Sequence, residues 1–277
     1  MKKNVIIIGG VAGGTSAAAS AKRLNPELDI KIFEAKKNIS VGSCSFPYYI
    51  GGLIDDPKKL YYFTPNTFFN KKGVEVFTEH LVTEINLNKR CVLVKNLKNN
   101  SFFEENFDVL VIATGAKPIQ LKVPGRELNG IFNLKFFDDV IQIKEYMNNN
   151  LIKKVGIIGG GNIGLELVEN FSRLGITPVV IEKLPQPAAT YDTEIIDSIL
   201  KELNHKGIEI ITDTTAQEYL GSEGKVSAVK TDNGVFEVDM VVETIGIRPN
   251  SEIYKDLGLK MLPNGALFTN SKSQAEG

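Results

Sequence analysis

The sequence predicts an α/β protein with two Rossmann-like dinucleotide-binding domains, and three observations point to it. A continuous apolar strand runs directly into a glycine-rich turn at residues 9–14, and the same happens at residues 159–164. Each turn opens a helix of small and apolar residues, and each helix leads to a further apolar strand ending in a carboxylate, Glu34 or Glu182. One such cluster is a plausible chance run of glycines; two with matching strands, helices and terminal acids are not.

The bulk properties agree with an ordinary globular chain. Its 277 residues fit roughly two domains, each long enough to bury a core. Lys and Arg (32) almost cancel Asp and Glu (33), so no overall field draws nucleic acid or an anionic membrane as a partner. Two cysteines without paired spacing and two histidines leave no disulfide framework and no metal site of the cysteine or histidine type. A reducing, cytoplasmic setting is expected. The apolar run at 5–8 is too short for a signal segment or a membrane span.

Residues 4–8 are β-branched and continuous rather than alternating, as in a parallel strand covered on both faces. Gly9, Gly10, Val11, Ala12, Gly13 and Gly14 form the turn, and alanine-rich residues 15–24 a helix whose N-terminus faces a pyrophosphate. The next strand, 29–33, ends in Glu34, 25 residues after Gly9, where an acid accepts hydrogen bonds from ribose hydroxyls. Val11 takes the place of the second glycine of G-x-G-x-x-G, where backbone ordinarily comes closest to phosphate. Strand-like runs follow at 74–77, 81–87 and 91–97, and a buried strand at 108–113. The turn Thr114-Gly115-Ala116-Lys117-Pro118 reads as an exit between domains, and Pro124-Gly125 as a second breaker, which puts the boundary near 116–125. Helical spacing over 137–146 predicts a helix packed on the second domain.

The second fingerprint, Gly159-Gly160-Gly161-Asn162-Ile163-Gly164, carries all three glycines. It is preceded by a strand at 154–158 and followed by a helix over 165–174 and a strand at 177–181 ending in Glu182. Two dinucleotides are implied. Glu182 suits a free ribose diol and repels a 2′-phosphate, favouring NADH, while Lys183 beside it leaves NADPH open. A helix at 192–206 and strands at 208–211, 225–231 and 235–243 close the second domain. Ile245-Gly246-Ile247-Arg248-Pro249-Asn250 is a further exit turn, and 257–268 opens another segment.

One residue stands out for chemistry. Cys44 lies just beyond the first fingerprint, in Ser43-Cys44-Ser45-Phe46-Pro47-Tyr48-Tyr49-Ile50-Gly51. A cysteine taken alone reads as a small buried apolar residue. The nucleotide fingerprint beside it makes it the residue expected to do chemistry instead, whereas Cys91, in an alternating strand, reads as structural.

Taken together these motifs resemble the flavin-dependent pyridine nucleotide-disulfide oxidoreductases, in particular the single-cysteine branch of coenzyme A disulfide reductases, NADH oxidases and NADH peroxidases. The resemblance spans the chain and rests on both fingerprints, on Cys44 with the segment after it, on Ala113-Thr114-Gly115-Ala116, and on the turn from Ile245 to Asn250. Val11 is usual in the coenzyme A disulfide reductase group. The resemblance implies FAD at the first fingerprint (Gly9, Val11, Ala12, Gly13, Gly14, Glu34, Ala35, with Ala113, Thr114 and Gly115) and the nicotinamide cofactor at the second (Gly159, Gly161, Asn162, Ile163, Gly164, Glu166, Glu182). Ser43, Val82 and Gly246 are further implied cofactor contacts. It places the flavin domain at 1–118, the nicotinamide domain at 119–245 inserted within it, and an incomplete return to the flavin domain at 246–277. Full-length relatives continue into a dimerisation domain and form homodimers; the present sequence is expected to be a shortened form with weakened FAD retention and little turnover.

The resemblance further implies that hydride passes from NADH to FAD and electrons then reach Cys44. No C-x-x-x-x-C pair is present, so Cys44 has to cycle with something outside the chain, as a mixed disulfide or persulfide, or as a sulfenic acid formed by peroxide. Both routes need a thiolate, which a helix N-terminus near Phe46 and a nearby flavin favour. Ser16, Ser20, Arg23, Ser40, Ser43 and Lys72 match coenzyme A contacts, and the cations Arg23 and Lys72 suit its phosphates. Two positions depart from the pattern. Val41-Gly42-Ser43 stands where coenzyme A disulfide reductases usually carry Phe and Asn before the cysteine, and Asn162 where the family usually has a tyrosine over the flavin. Three functions follow: an NAD(P)H-dependent reductase of coenzyme A disulfide or a related persulfide or polysulfide, favoured by Arg23 and Lys72; an NADH oxidase or peroxidase; and a non-catalytic dinucleotide-binding fragment.

Overall fold

The computed structural model describes residues 2–277. In chain order the first elements are β1 (Asn4–Ile8), α1 (Ala12–Leu24), β2 (Asp29–Glu34), α2 (Phe46–Ile50) and α3 (Pro65–Lys72). Then come β3 (Glu75–Thr78), β4 (His80–Asn86), β5 (Cys91–Asn96), β6 (Phe102–Asn106), β7 (Val109–Ile112) and β8 (Ala116–Pro118). The middle of the chain holds β9 (Ile131–Asn133), α4 (Phe137–Asn149), β10 (Lys154–Ile158), α5 (Asn162–Arg173), β11 (Thr177–Ile181) and α6 (Thr193–His205). The last strands are β12 (Glu209–Ile211), β13 (Ala216–Ser222), β14 (Lys225–Thr231), β15 (Gly234–Glu237), β16 (Met240–Glu243) and β17 (Ile247–Pro249).

The chain divides into two compact units. The first comprises the residues up to Gly42, Lys58–Lys117 and Arg248–Gly277. Its parallel sheet has the order β3-β2-β1-β7, with Ile7 of β1 opposite Ile32 of β2 and Val111 of β7. The unbroken apolar run in β1 follows from this position. Val5 and Ile7 face one core with Ala18 of α1, Ile30, Ile32 and Phe68, while Ile6 and Ile8 face a second core with Phe33, Val82, Ile85, Val92 and Val94. The antiparallel sheet β4-β5-β6 supplies that second layer. Tyr254 is buried in the same core, and Leu257, Leu259, Met261 and Leu267 pack against it.

The second unit is Ser43–Pro57 with Pro118–Ile247. All neighbours in its sheet, ordered β12-β11-β10-β16-β9, are parallel. One face meets the antiparallel β13-β14-β15 sheet through Ile158, Ile181, Val241, Val229 and Tyr219. On β10 and β11 packs α5, which buries Leu167, Val168 and Phe171.

Several features differ from the sequence expectation, the unforeseen strands β8, β9, β13 and β17 among them. The run 235–243 is not one strand: β15 pairs antiparallel with β14, whereas β16 pairs parallel with β10. The break comes at Asp239, whose Oδ2 accepts the Lys153 and Lys154 amides at 2.7 and 2.9 Å and turns the chain into the other sheet. Helix α3 and strand β6 were not expected. The helix is fixed by Pro65 in its first turn and a reciprocal capping box between Thr64 and Thr67, both side-chain bonds being local. Finally, Ser43–Pro57, expected within a continuous 1–118 domain, groups with the second unit because α2 buries Phe46, Pro47, Tyr49 and Ile50 and packs on α5 and α4.

Candidate active site

The first glycine loop is built from the end of β1. Gly9 has φ of +105°, and a Cβ there would stand 2.2 Å from the Ala113 carbonyl oxygen, so only glycine lets the strand turn at that point. The Gly9 amide donates to Phe33 O at 2.8 Å, and the Ala113 amide to Ile8 O at 2.9 Å. A Cβ on Gly14 would fall 1.8 Å from Gly9 O, which explains how closely α1 seats on the loop. Glu34, 7% exposed, closes the loop: its Oε2 accepts the Gly10 amide at 2.6 Å and its Oε1 the Lys36 amide at 2.7 Å.

The second loop repeats this construction residue for residue. Gly159 has φ of +100° and its amide donates to Ile181 O at 2.9 Å. A Cβ on Gly164 would fall 2.2 Å from Gly159 O. Glu182, 9% exposed, accepts the Gly160 amide on Oε2 at 2.6 Å and the Leu184 amide on Oε1 at 2.8 Å. Thr244 Oγ1 donates to Gly159 O at 2.7 Å, a bond the first loop lacks an equivalent side chain to make, since Ala113 holds that place.

Each loop fits a phosphate-bearing dinucleotide. Val11 and Gly161, the N-cap residues of α1 and α5, have extended backbone and make no side-chain cap, and neither helix carries an acid in its first turn. The first-turn amides and the positive end of the helix dipole therefore face outward without a competing anion. Nothing lies within 4 Å of where a Gly161 Cβ would stand, which leaves the room a phosphate needs. In the first loop the Val11 side chain points to solvent, 39% exposed, so it does not fill the loop from within. Each glutamate spends two acceptor positions on its own loop and, having about four, retains others for a ribose diol.

The remaining residues singled out from sequence fall in definite places. Gly13 lies in the first turn of α1 with Ala12. Ala35 is half-buried just past β2. Val82 has its side chain in the core at 4% exposure, so only its backbone is available to a cofactor. Thr114 and Gly115 are clasped by Asn250: the Asn250 side chain donates to Thr114 O at 2.8 Å, its amide donates to Gly115 O at 3.0 Å, and Thr114 Oγ1 donates to Asn250 O at 3.2 Å. Gly246 turns at φ of +109° and accepts the Ile119 amide at 3.0 Å. Asn162 and Ile163 are exposed at the start of α5, with Glu166 half-buried one turn on.

Ser16, Ser20 and Arg23 share one face of α1 at i, i+4 and i+7, with Ser16 and Arg23 exposed. Helix α3, which packs on α1, carries exposed Lys72 in its last turn. Ser40 has φ of +51° and its amide donates to Gly10 O at 2.9 Å, tying it to the loop.

Cys44 sits in a 3-10 turn, Ser43–Ser45, that runs into α2, and it is an exposed free thiol. Cys91 is buried in β5. The bland expectation for a lone cysteine thus describes Cys91 and not Cys44. The helix after Cys44 is only five residues long, so its dipole is small beside that of a full helix.

Two groups of residues were not legible as site candidates. Glu243, 2% exposed, accepts Arg126 Nε at 3.0 Å, Tyr219 Oη at 2.7 Å and Asn133 Nδ2 at 3.3 Å. Burial and the adjoining carboxylate push the Tyr219 phenol far above its ordinary range. Asn170, in the apolar stripe of α5, is the other; its only sequence signal is an amide at a position whose neighbours Leu167 and Phe171 are core. Among the described residues no group of three or more His, Cys, Asp and Glu is arranged to hold a metal, and no helix is long and apolar enough to cross a membrane.

Known proteins share this arrangement. The NAD(P)H coenzyme A polysulfide/persulfide reductase of Pyrococcus horikoshii is 36% identical over 275 residues, covering 99% of this chain and 60% of that protein. An NADH oxidase of Enterococcus faecalis is 35% identical over 272 residues, covering 98% and 60%. The crystal structure of reduced CoADR-RHD from Bacillus anthracis superposes with a TM-score of 0.94 at 31% identity, over 99% of this chain and 49% of that one. The chain thus spans 60% of the length of the curated relatives it matches. Residues 3–276 match the pyridine nucleotide-disulphide oxidoreductase family, and the chain belongs to it.

Proposed function

We propose that this chain is the dinucleotide-binding and thiol-bearing part of an NAD(P)H-dependent flavoprotein reductase of coenzyme A disulfide or a related persulfide or polysulfide. The observation that carries this reading is the contrast between its two cysteines. The exposed thiol, Cys44, follows the first dinucleotide loop in sequence, and the other cysteine is buried in β5. Within these residues Cys44 therefore has no disulfide partner, and this reading gives it a small external sulfur compound instead.

The Gly9–Gly14 turn, with Glu34 behind it, suits FAD, and the Gly159–Gly164 turn, with Glu182 behind it, suits the nicotinamide dinucleotide. A bound flavin supplies two-electron transfer between nicotinamide and sulfur. The chain's own residues bind, orient and exchange sulfur. As thiolate, Cys44 attacks one sulfur of the disulfide; the S–S bond breaks, one thiolate leaves, and Cys44 holds the other half as a mixed disulfide. Two electrons drawn from NADH then cleave that bond, which regenerates the Cys44 thiolate and frees the second thiol. With a persulfide or polysulfide the leaving group is a hydrosulfide or a shorter polysulfide, and the count of electrons is the same. Ser16, Ser20 and Arg23 on α1, with Lys72 on α3, offer hydroxyls and cations to the phosphates and amides of a coenzyme A chain. An exposed thiol of this kind suits a reducing compartment.

The test compares NADH consumption by wild-type and Cys44→Ser protein with coenzyme A disulfide, polysulfide, peroxide and oxygen offered in turn under otherwise anaerobic conditions. Turnover with the sulfur compounds that disappears in Cys44→Ser supports the reading. Turnover with peroxide or oxygen alone replaces it with the oxidase or peroxidase alternative.

A further inference from the structure

Asn170 is 1% exposed and lies on the buried side of α5 with Leu167, Val168 and Phe171. Its Nδ2 donates to Glu166 O at 2.8 Å, one turn back along the helix, and this fixes the amide with Oδ1 pointing away. Oδ1 has no hydrogen-bond partner, and among the described residues it is the only buried side-chain polar atom in that state. A buried carbonyl left without a donor is costly, so its position calls for an explanation.

Oδ1 faces Gly51. A Cβ on Gly51 would stand 2.2 Å from Asn170 Oδ1 and 2.8 Å from both its Cβ and Cγ. Gly51 caps α2 with φ of −72° and ψ of −2°, a conformation any residue adopts, so glycine is not required there by the backbone. It is required by the approach of Asn170. One residue earlier, Lys144 Nζ of α4 donates to Ile50 O at 2.9 Å, and burial lowers the Lys144 pKa. The last turn of α2 thus packs closely on Asn170 of α5 and is hydrogen-bonded by Lys144 of α4.

These two helices carry the chemistry at their starts. Cys44 and Ser45 lead directly into α2, and the second dinucleotide loop leads directly into α5. We propose that Asn170, through its contact with Gly51, is a positioning residue for Cys44 that couples dinucleotide binding at the second loop to the reactivity of the thiol. This deepens the reductase reading, on which it rests. The coupling runs through α5, Asn170, Gly51 and α2, all within the second unit.

The test uses the 277-residue chain and iodoacetamide, with Cys44 alkylation followed by peptide mass spectrometry with and without saturating NAD⁺, and NAD⁺ affinity measured by calorimetry. NAD⁺ is expected to change the Cys44 rate by about fivefold in wild type and by less than about twofold in Asn170→Ala and Gly51→Ala, with NAD⁺ affinity kept within about threefold. A merely structural role moves stability and leaves the NAD⁺ response intact. Asn170→Ala only removes atoms, so it carries the test if Gly51→Ala fails to fold. A wild-type response that persists in folded Asn170→Ala, or a wild-type thiol indifferent to NAD⁺, overturns the coupling. A Cys44 that answers NAD⁺ through Asn170 yet forms no adduct with coenzyme A disulfide, a persulfide or a polysulfide supports the coupling while refuting the reductase reading.

Discussion

Glu34 Oε2 accepts the Gly10 amide at 2.6 Å, and Glu182 Oε2 accepts the Gly160 amide at the same distance. In each case the other oxygen accepts the amide two residues after the acid, Lys36 or Leu184. The acids at the strand ends therefore shape the loops before any ribose arrives. Glu182→Ala strands two amides and is expected to cost about 2 kcal/mol of stability as well as about tenfold in NADH affinity. Chemical denaturation and NADH titration check both; loss of affinity with unchanged stability would show that the loop does not depend on the carboxylate.

The glycines of the second loop divide into two kinds. Gly164→Ala forces a Cβ to within 2.2 Å of Gly159 O and is expected to destabilise the second unit by about 3 kcal/mol. Gly161→Ala meets nothing within 4 Å, so its melting temperature should stay within about 2 °C while NADH affinity falls about tenfold. Melting curves and NADH titrations of the two variants measure the contrast.

Tyr219 gives a pH dependence with a defined sign. Burial, then the Glu243 carboxylate and the hydrogen bond to it, hold the phenol protonated above its ordinary value of 10.0. Above pH 10 the unfolded chain has released this proton and the folded chain has not, so the folded state binds more protons and stability falls as pH rises. Tyr219→Phe is expected to be about 1 kcal/mol less stable at pH 8 and to show a shallower decline above pH 10. Melts from pH 8 to 11 would contradict this if both proteins declined in parallel.

The two thiols should separate cleanly. Cys44 is exposed and Cys91 buried, so a disulfide reagent is expected to titrate one thiol rapidly in the native protein and the second only after denaturant is added. Peptide mapping identifies the fast one, and rapid reaction at Cys91 would contradict the placement.

Both dinucleotide loops were legible because their chemistry is local: glycine spacing, an unbroken apolar strand on each side, and an acid at the end of the second. Helix α3 also had a local signal, Thr64-Pro65 followed by Thr67, that periodicity over eight residues is too short to raise. What sequence does not carry is set by contacts distant in the chain. The break between β15 and β16 depends on Asp239 meeting amides at 153 and 154, and α2 meets Asn170 and Lys144 on helices distant in the chain. Cys44 was readable as the candidate thiol, and it is the exposed one of the two, while the helices its segment packs on were not legible.

The central claim is that Cys44 exchanges with an external disulfide, and peptide mass spectrometry of the chain incubated anaerobically with coenzyme A disulfide tests it most directly. The account predicts one coenzyme A moiety on the Cys44 peptide, released by reductant, with Cys91 unmodified. An unmodified Cys44, or one that carries only a sulfenic acid after peroxide and never a coenzyme A adduct, would contradict it.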